Sequence, residues 1–278
     1  MAIVENGQAV FDNSDGAVAP WWSFTKTIIA AAVLRLVDDG GLDLDAPDPA
    51  DGISLRQLLQ HTAGLPDYGG DPDYHAAVAA GGTPWTTADL RRRFDGRRLF
   101  QPGEGWAYSN IGYLILRERL EALAGGSLAD ALSRLVFDPL GVDAFLVETP
   151  AQAATLPGVI AGYHPGWVFH GLAAGPLVEA ARLLDGLLTG RLLSPELTGQ
   201  MTRSRPLTVP LGDRPWTTTA YGLGLMLPTL GERSWAGHTG GGPSSSVAVY
   251  GDRRRIAAAF APGEDPVSVE RAVVEALA

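Results

Sequence analysis

The sequence predicts an α+β protein whose antiparallel sheet is drawn from both chain ends, with a mainly helical segment inserted between them. Three observations carry this. Residues 2–11 read as a hairpin, the middle of the chain holds a series of capped helices, and after residue 218 the apolar pattern changes to period two in short runs. The expected partition is a discontinuous sheet domain over 1–38 and 215–278 and a helical domain over 39–214, with the active site at their interface.

In chain order, Ala2–Val4 and Gln8–Phe11 are the hairpin strands, because Asn6-Gly7 between apolar runs is a strong tight-turn signal. Pro20-Trp21-Trp22 leads to Ser23, read as the N-cap of an apolar helix that ends near Gly40-Gly41. Asp43–Asp51 is a Pro/Asp loop, and Ser54 caps a short helix, Leu55–His61, that stops near Gly64-Leu65-Pro66. After the loop Gly69–Thr83, Thr87 is read as the cap of Ala88–Phe94. Gln101-Pro-Gly is a turn that delivers Tyr108-Ser109-Asn110. Helices follow over Ile111–Ala124, closed by Gly125-Gly126, and over Leu128–Val136. Residues 151–172 show no assignable pattern. Leu177–Leu188 and Pro195–Met201 read as helices, and Tyr221–Leu227, Arg233–Gly237, Ser245–Tyr250 and Ile256–Phe260 as strands. Gly251-Asp252 is a hairpin turn, and Pro266–Leu277 is a closing helix.

Composition narrows the function classes. At 278 residues and 46% hydrophobic, the chain has ample material for a core. A net charge of -10 argues against nucleic acid or an anionic membrane surface as partner. There is no cysteine, no His-Glu-x-x-His and no Gly-Lys-Ser/Thr, so no metal or cofactor is expected. The first residues lack a basic and then apolar leader, and no apolar stretch is long enough to span a bilayer. With Met1 as the natural start, a cytoplasmic protein is expected, of open oligomeric state.

The positive residues point to the site. The chain has 20 arginines and one lysine, Lys26, three residues after Ser23 and on the same helical face. Guanidinium stays protonated, whereas a buried ammonium can lose its proton and act as a base. Two further short pieces stand at predicted element ends: Tyr108-Ser109-Asn110 and His238-Thr239-Gly240-Gly241-Gly242. Taken singly, Tyr108 reads as packing, Asn110 as a helix cap or a substrate contact, and His238 as a strand-end histidine. His61 reads as structural, and His75, His164 and His170 as surface or loop residues.

In this order the three motifs resemble the serine β-lactamase and penicillin-binding protein superfamily. The nearer match is its branch of class C β-lactamases, DD-carboxypeptidases and β-lactamase-like esterases. Leu58–Leu65, Gln101-Pro-Gly, Pro139-Leu-Gly141 and Leu192-Leu-Ser-Pro195 also match that branch. The resemblance implies a β-lactamase/DD-peptidase-like fold with Ser23 as nucleophile, Lys26 as base, and Tyr108 as a proton relay whose phenolate Lys26 would stabilise. It further implies Asn110, His238, Thr239, Gly240, Gly241 and Trp22 as substrate-binding residues. The backbone N–H groups of Ser23 and Gly241 would form the oxyanion hole. Family members carry a longer segment ahead of the nucleophile, which contributes more sheet.

The expected function is a serine hydrolase acting through an acyl-enzyme on a small ester or amide. A carboxylesterase comes first, because His238 stands where lactamases usually carry the lysine that grips a carboxylate. The alternatives are a DD-peptidase, D-aminopeptidase or weak β-lactamase, and a non-catalytic binding protein on the same fold.

Overall fold

In the computed structural model, which describes residues 1–263 and 265–278, both chain ends meet in one five-stranded antiparallel sheet. Its strand order is Ala236–Gly242, Ser245–Gly251, Arg255–Pro262, Ala2–Glu5, Gln8–Asp12. Asn6 and Gly7 take φ of 49° and 78°, the pair of positive values that a two-residue hairpin requires. The hairpin then extends the sheet from the last C-terminal strand, with Ala2 opposite Ala258 and Glu5 opposite Arg255.

The sheet is covered on both faces. Ala2, Val4, Val247, Val249 and Ile256 join the large core beneath the Leu177–Leu188 helix, while Ile3, Ala248, Tyr250 and Ala257 pack with Val269 and Val273 of the Pro266–Leu277 helix. Alternation along each strand produces this division. The Ser245–Gly251 strand is buried along its whole length.

Thr25–Asp38 is buried at every residue from Thr25 to Leu34, as an apolar-all-round sequence demands. Ser23 is not its N-cap. A 3₁₀ turn over Trp22–Phe24 precedes the helix, and Phe24 occupies the cap position without a side-chain hydrogen bond. The Ser23 hydroxyl is therefore not engaged as a helix cap. Trp22 adopts φ 38°, a strained value for a bulky residue, of a kind that costs about 1–3 kcal/mol. It is held by its Nε1–H donating to Ser245 Oγ at 3.0 Å and by an edge-on contact with Tyr163.

Elsewhere the sequence pattern and the structure differ by small, explicable amounts. Thr86, not Thr87, caps the helix over Thr87–Phe94, because its reciprocal bond with Asp89 closes a capping box. The Leu128–Leu132 helix widens into a π turn over Ser133–Phe137 before Asp138–Leu140. The expected strand Tyr221–Leu227 is strand only at Ala220–Tyr221. Gly222 N–H donates to Leu225 O at 2.8 Å, turning the chain back. Gly224, at φ 75°, presses on the Thr25–Asp38 helix, where a Cβ would lie 2.3 Å from that of Ala30. Thr27 Oγ1–H donates to its carbonyl at 2.7 Å.

The segment 151–172 contains only the short turns Pro150–Ala153 and Pro165–Trp167. It is pinned where it ends. Trp21 N–H donates to Ala173 O at 2.8 Å, and Ala173 N–H donates to Thr25 Oγ1 at 3.0 Å. The following strand, Ala173–Pro176, pairs with Val18–Pro20. No helix of the described residues is long and apolar enough to cross a membrane.

Candidate active site

Ser23 and Lys26 leave the 3₁₀ turn and the first helical turn on the same side, and Lys26 Nζ donates to Ser23 Oγ at 3.3 Å. Lys26 is completely buried. Its other near neighbours are His170 Nε2 at 3.1 Å and the faces of Tyr108 and Tyr113, at 5.0 and 5.6 Å to the ring centroids. It makes no ion pair among the described residues. Burial lowers its pKa from 10.5 to about 7, and the more distant Asp67 carboxylate offsets only part of that. At neutral pH a large share of the amine is therefore free to accept a proton from Ser23.

Tyr108 is brought in by a loop clamped on its inner side. Ala107 N–H donates to His61 O at 3.0 Å, Ser109 N–H to His61 Nδ1 at 3.1 Å, and Ser109 Oγ–H to Pro66 O at 2.7 Å. The His61 ring lies 4.4 Å from that of Tyr108, so His61 is structural, as its sequence context suggests. Burial raises the Tyr108 pKa above the ordinary phenol range, and its hydrogen bond with Ser23 offsets this in part. The raised pKa keeps the proton on the Tyr108 hydroxyl, beside Ser23. Ser109, not Asn110, caps the next helix, Asn110–Ala124, by accepting from Gly112 N–H at 3.1 Å. Asn110 is left in the pocket wall, its backbone N–H fixed by Asp67 Oδ1 at 2.8 Å.

The third motif is placed differently from expectation. His238 is fully buried and does not line the pocket. Its Nδ1–H faces Thr239 O at 2.7 Å and its Nε2 accepts from Tyr221 OH at 3.0 Å, while His61 Nε2–H reaches the same hydroxyl at 3.2 Å. The Ser109 amide and the Thr239 carbonyl fix both tautomers of this chain. Burial lowers the His238 pKa to about 3, with the Lys26 charge adding to the effect, so it is neutral. Gly240 also stays out of the pocket: a Cβ there would lie 2.6 Å from Ser23 N and 2.8 Å from Trp22 Cβ. At Gly242 a Cβ would meet the Trp22 ring at 2.5 Å. Two of the three glycines thus make room for the protein's own Trp22-Ser23 turn. Gly241 and Thr239 do line the pocket.

The pocket is a cavity of about 790 Å³. Trp22, Tyr68, Tyr74, Tyr163, Val168 and Ile160 give it an aromatic and aliphatic wall, with Ser23, Tyr108 and Asn110 presented into it. Trp106 is stacked behind, against His61 and Tyr221. His170, expected as a surface or loop residue, is instead buried against Lys26. Two further polar members carry no signal in the sequence. Arg214 is one arginine among 20, and Glu270 sits on an unremarked turn of the last helix. No group of three His, Cys, Asp or Glu side chains among the described residues is arranged to hold a metal ion.

This fold and this placement of Ser23, Lys26 and Tyr108 define a class, and the chain belongs to it. The Beta-lactamase family model matches residues 1–278, which makes the chain a member of that family and of the serine β-lactamase and penicillin-binding protein superfamily. Esterase EstB of Burkholderia gladioli is 34% identical over 209 residues, covering 67% of this chain and 48% of that protein. A D-aminopeptidase of Gluconobacter oxydans is 26% identical over 259 residues, covering 86% of this chain and 48% of that protein. The chain spans about half or less of the length of the curated relatives it matches. A D-stereospecific amidohydrolase from Streptomyces sp. superposes with a TM-score of 0.82 at 22% identity, over 100% of this chain and 93% of that one.

Proposed function

We propose that the chain is a serine hydrolase acting through an acyl-enzyme on a small ester or amide, with a carboxylesterase as the first reading. One observation carries it: the chain's sole lysine is fully buried, without an ion pair among the described residues, 3.3 Å from the Ser23 hydroxyl, so that it is partly neutral at neutral pH. In the first step Lys26 takes the Ser23 proton as Ser23 Oγ bonds to the substrate carbonyl carbon. The phenol of Tyr108 is placed to pass a proton between them. The tetrahedral oxyanion is assigned to the backbone N–H groups of Ser23 and Gly241. Its collapse breaks the bond to the leaving group, which departs with the proton held by Lys26. A water then gives its proton to Lys26 and attacks the acyl carbon, and the proton returns to Ser23 as the acid leaves. Asn110, Thr239 and Trp22 orient the substrate, and His238 supports this wall from behind. The site is assigned to the interface of a sheet domain over 1–38 and 215–278 and a helical domain over 39–214.

The ester reading is favoured by the neutral, buried His238, which offers no cation to a substrate carboxylate, and by the similarity to an esterase. An amide or D-peptide reading is favoured by the similarity to D-aminopeptidases over 86% of the chain. Intact-mass spectrometry after brief exposure to a short 4-nitrophenyl ester and, separately, to a penicillin separates the readings. Ester turnover without a lasting penicillin adduct is expected. A stable penicillin adduct on Ser23 would move the assignment to a DD-peptidase, and inertness towards both would leave a non-catalytic binding protein.

A further inference from the structure

Among the described residues Arg214 is the single Arg or Lys side chain lining the pocket, and Thr239 lines it too. A planar guanidinium next to a hydroxyl donor is a natural seat for a substrate carboxylate. That seat is filled from within the chain. Glu270, fully buried on the Pro266–Leu277 helix, accepts from Arg214 Nε at 2.9 Å through Oε2 and from Arg214 Nη2 through Oε1. Thr239 Oγ1–H donates to the same Oε1, and the Tyr250 hydroxyl lies 2.8 Å from Thr239 Oγ1.

We propose that Glu270 is a specificity-determining residue that acts as an internal carboxylate, occupying Arg214 and Thr239 and so excluding anionic substrates in favour of neutral esters and amides. The inference rests on the serine-hydrolase reading of the site and deepens it. An incoming carboxylate has to displace a bidentate charge-assisted pair and then face Glu270 as a like charge, and such juxtapositions cost several kcal/mol. Asp67, which holds Asn110, makes no ion pair among the described residues and adds a second negative charge near the site. The His238 imidazole, neutral and turned towards Tyr221, supplies no opposing cation.

An Arg–Glu pair that ties the C-terminal helix to the loop carrying Arg214 would also serve stability alone, so the test has to read charge selectivity. The kcat/KM values of the wild type, Glu270→Gln and Arg214→Gln are measured on 4-nitrophenyl butyrate, the 4-nitrophenyl monoester of glutaric acid, 3-carboxyphenyl butyrate and 4-nitrophenyl 4-aminobutyrate. This set places a carboxylate on either side of the scissile bond and includes one cationic acyl group. Glu270→Gln keeps an acceptor for Thr239 but frees Arg214, and the anionic-to-neutral ratio is expected to rise about tenfold or more for at least one anionic ester. Arg214→Gln leaves Glu270 bare, so that ratio falls and the cationic-to-neutral ratio rises. If Glu270→Gln does not fold, Arg214→Gln decides alone. Unchanged ratios in active variants would reduce the pair to a structural tie and overturn the inference while leaving the hydrolase intact. A wild type inert to all four esters would instead overturn the hydrolase reading itself, and the inference with it.

Discussion

Two cations flank the pocket, and they have opposite fates. Burial acts to lower the Arg214 pKa, but the bidentate pair with Glu270, together with Tyr250, outweighs it and the pKa is raised. Lys26 is more deeply buried and faces His170 and two tyrosines, with no carboxylate of the described residues in hydrogen-bonding reach, and its pKa falls to about 7. Burial is common to both. The difference lies in the partner: a charge buried beside a carboxylate stays a charge, and one buried among neutral groups gives up its proton. Apart from Lys26, every Lys/Arg position in the chain is an arginine, and the one lysine stands next to Ser23.

The comparison can be broken most severely at Ser23. Ser23→Ala is expected to lower ester turnover by about a thousandfold or more while the fold persists, read by kcat and thermal melting together. Undiminished turnover would put the nucleophile elsewhere. Making Lys26 behave like Arg214 comes next. Lys26→Arg supplies a permanent charge, so a loss of about 10²–10⁴ in kcat is expected, the range of a general base. A near-wild-type rate in that variant would remove the base role.

His170 sharpens the account by a smaller step. Its Nε2 meets the Lys26 amine at 3.1 Å, so His170→Ala opens the lysine's cover to water. Better solvation favours the ammonium. The rising limb of kcat/KM, expected near pH 7 in the wild type, should then move to higher pH, with about a tenfold loss at neutral pH. An unmoved limb would show that His170 only packs.

Stability gives the last test of the buried lysine. The unfolded chain keeps the Lys26 proton up to its ordinary pKa of 10.5, and the folded chain releases it near 7. Between these values the unfolded state binds more protons, so this group makes the fold more stable as pH rises through that window. Lys26→Met should therefore stabilise the protein, on the order of a few kcal/mol at pH 6 and less at pH 10. Denaturant titrations at the two pH values check this, and an equal gain at both would contradict a lowered pKa.

What could be read from the sequence follows from how locally it is encoded. The hairpin at Asn6-Gly7, the Leu177–Leu188 and Pro266–Leu277 helices and the sheet drawn from both ends rest on nearest-neighbour chemistry and periodicity, and they stand as expected. The grouping of Ser23, Lys26 and Tyr108 follows from local signals, a lone lysine at fixed spacing and a tyrosine ahead of a helix. Features set by distant contacts were not visible. The Gly222–Leu225 turn exists because the helix beneath it leaves no room at Gly224. The burial of His238 depends on a hydrogen-bond chain through Tyr221 to His61. The meeting of Arg214 with Glu270, 56 residues apart, has no local signature at all.

The presence of a single lysine makes the central claim directly measurable. In protein made with lysine carrying ¹³C at Cε and ¹⁵N at Nζ, every lysine side-chain signal belongs to Lys26, and its titration can be followed by NMR from pH 5 to 11. The account predicts a midpoint of about 7. A midpoint at the ordinary lysine value of 10.5 would mean that Lys26 is charged throughout the neutral range, and the proposed base would be lost.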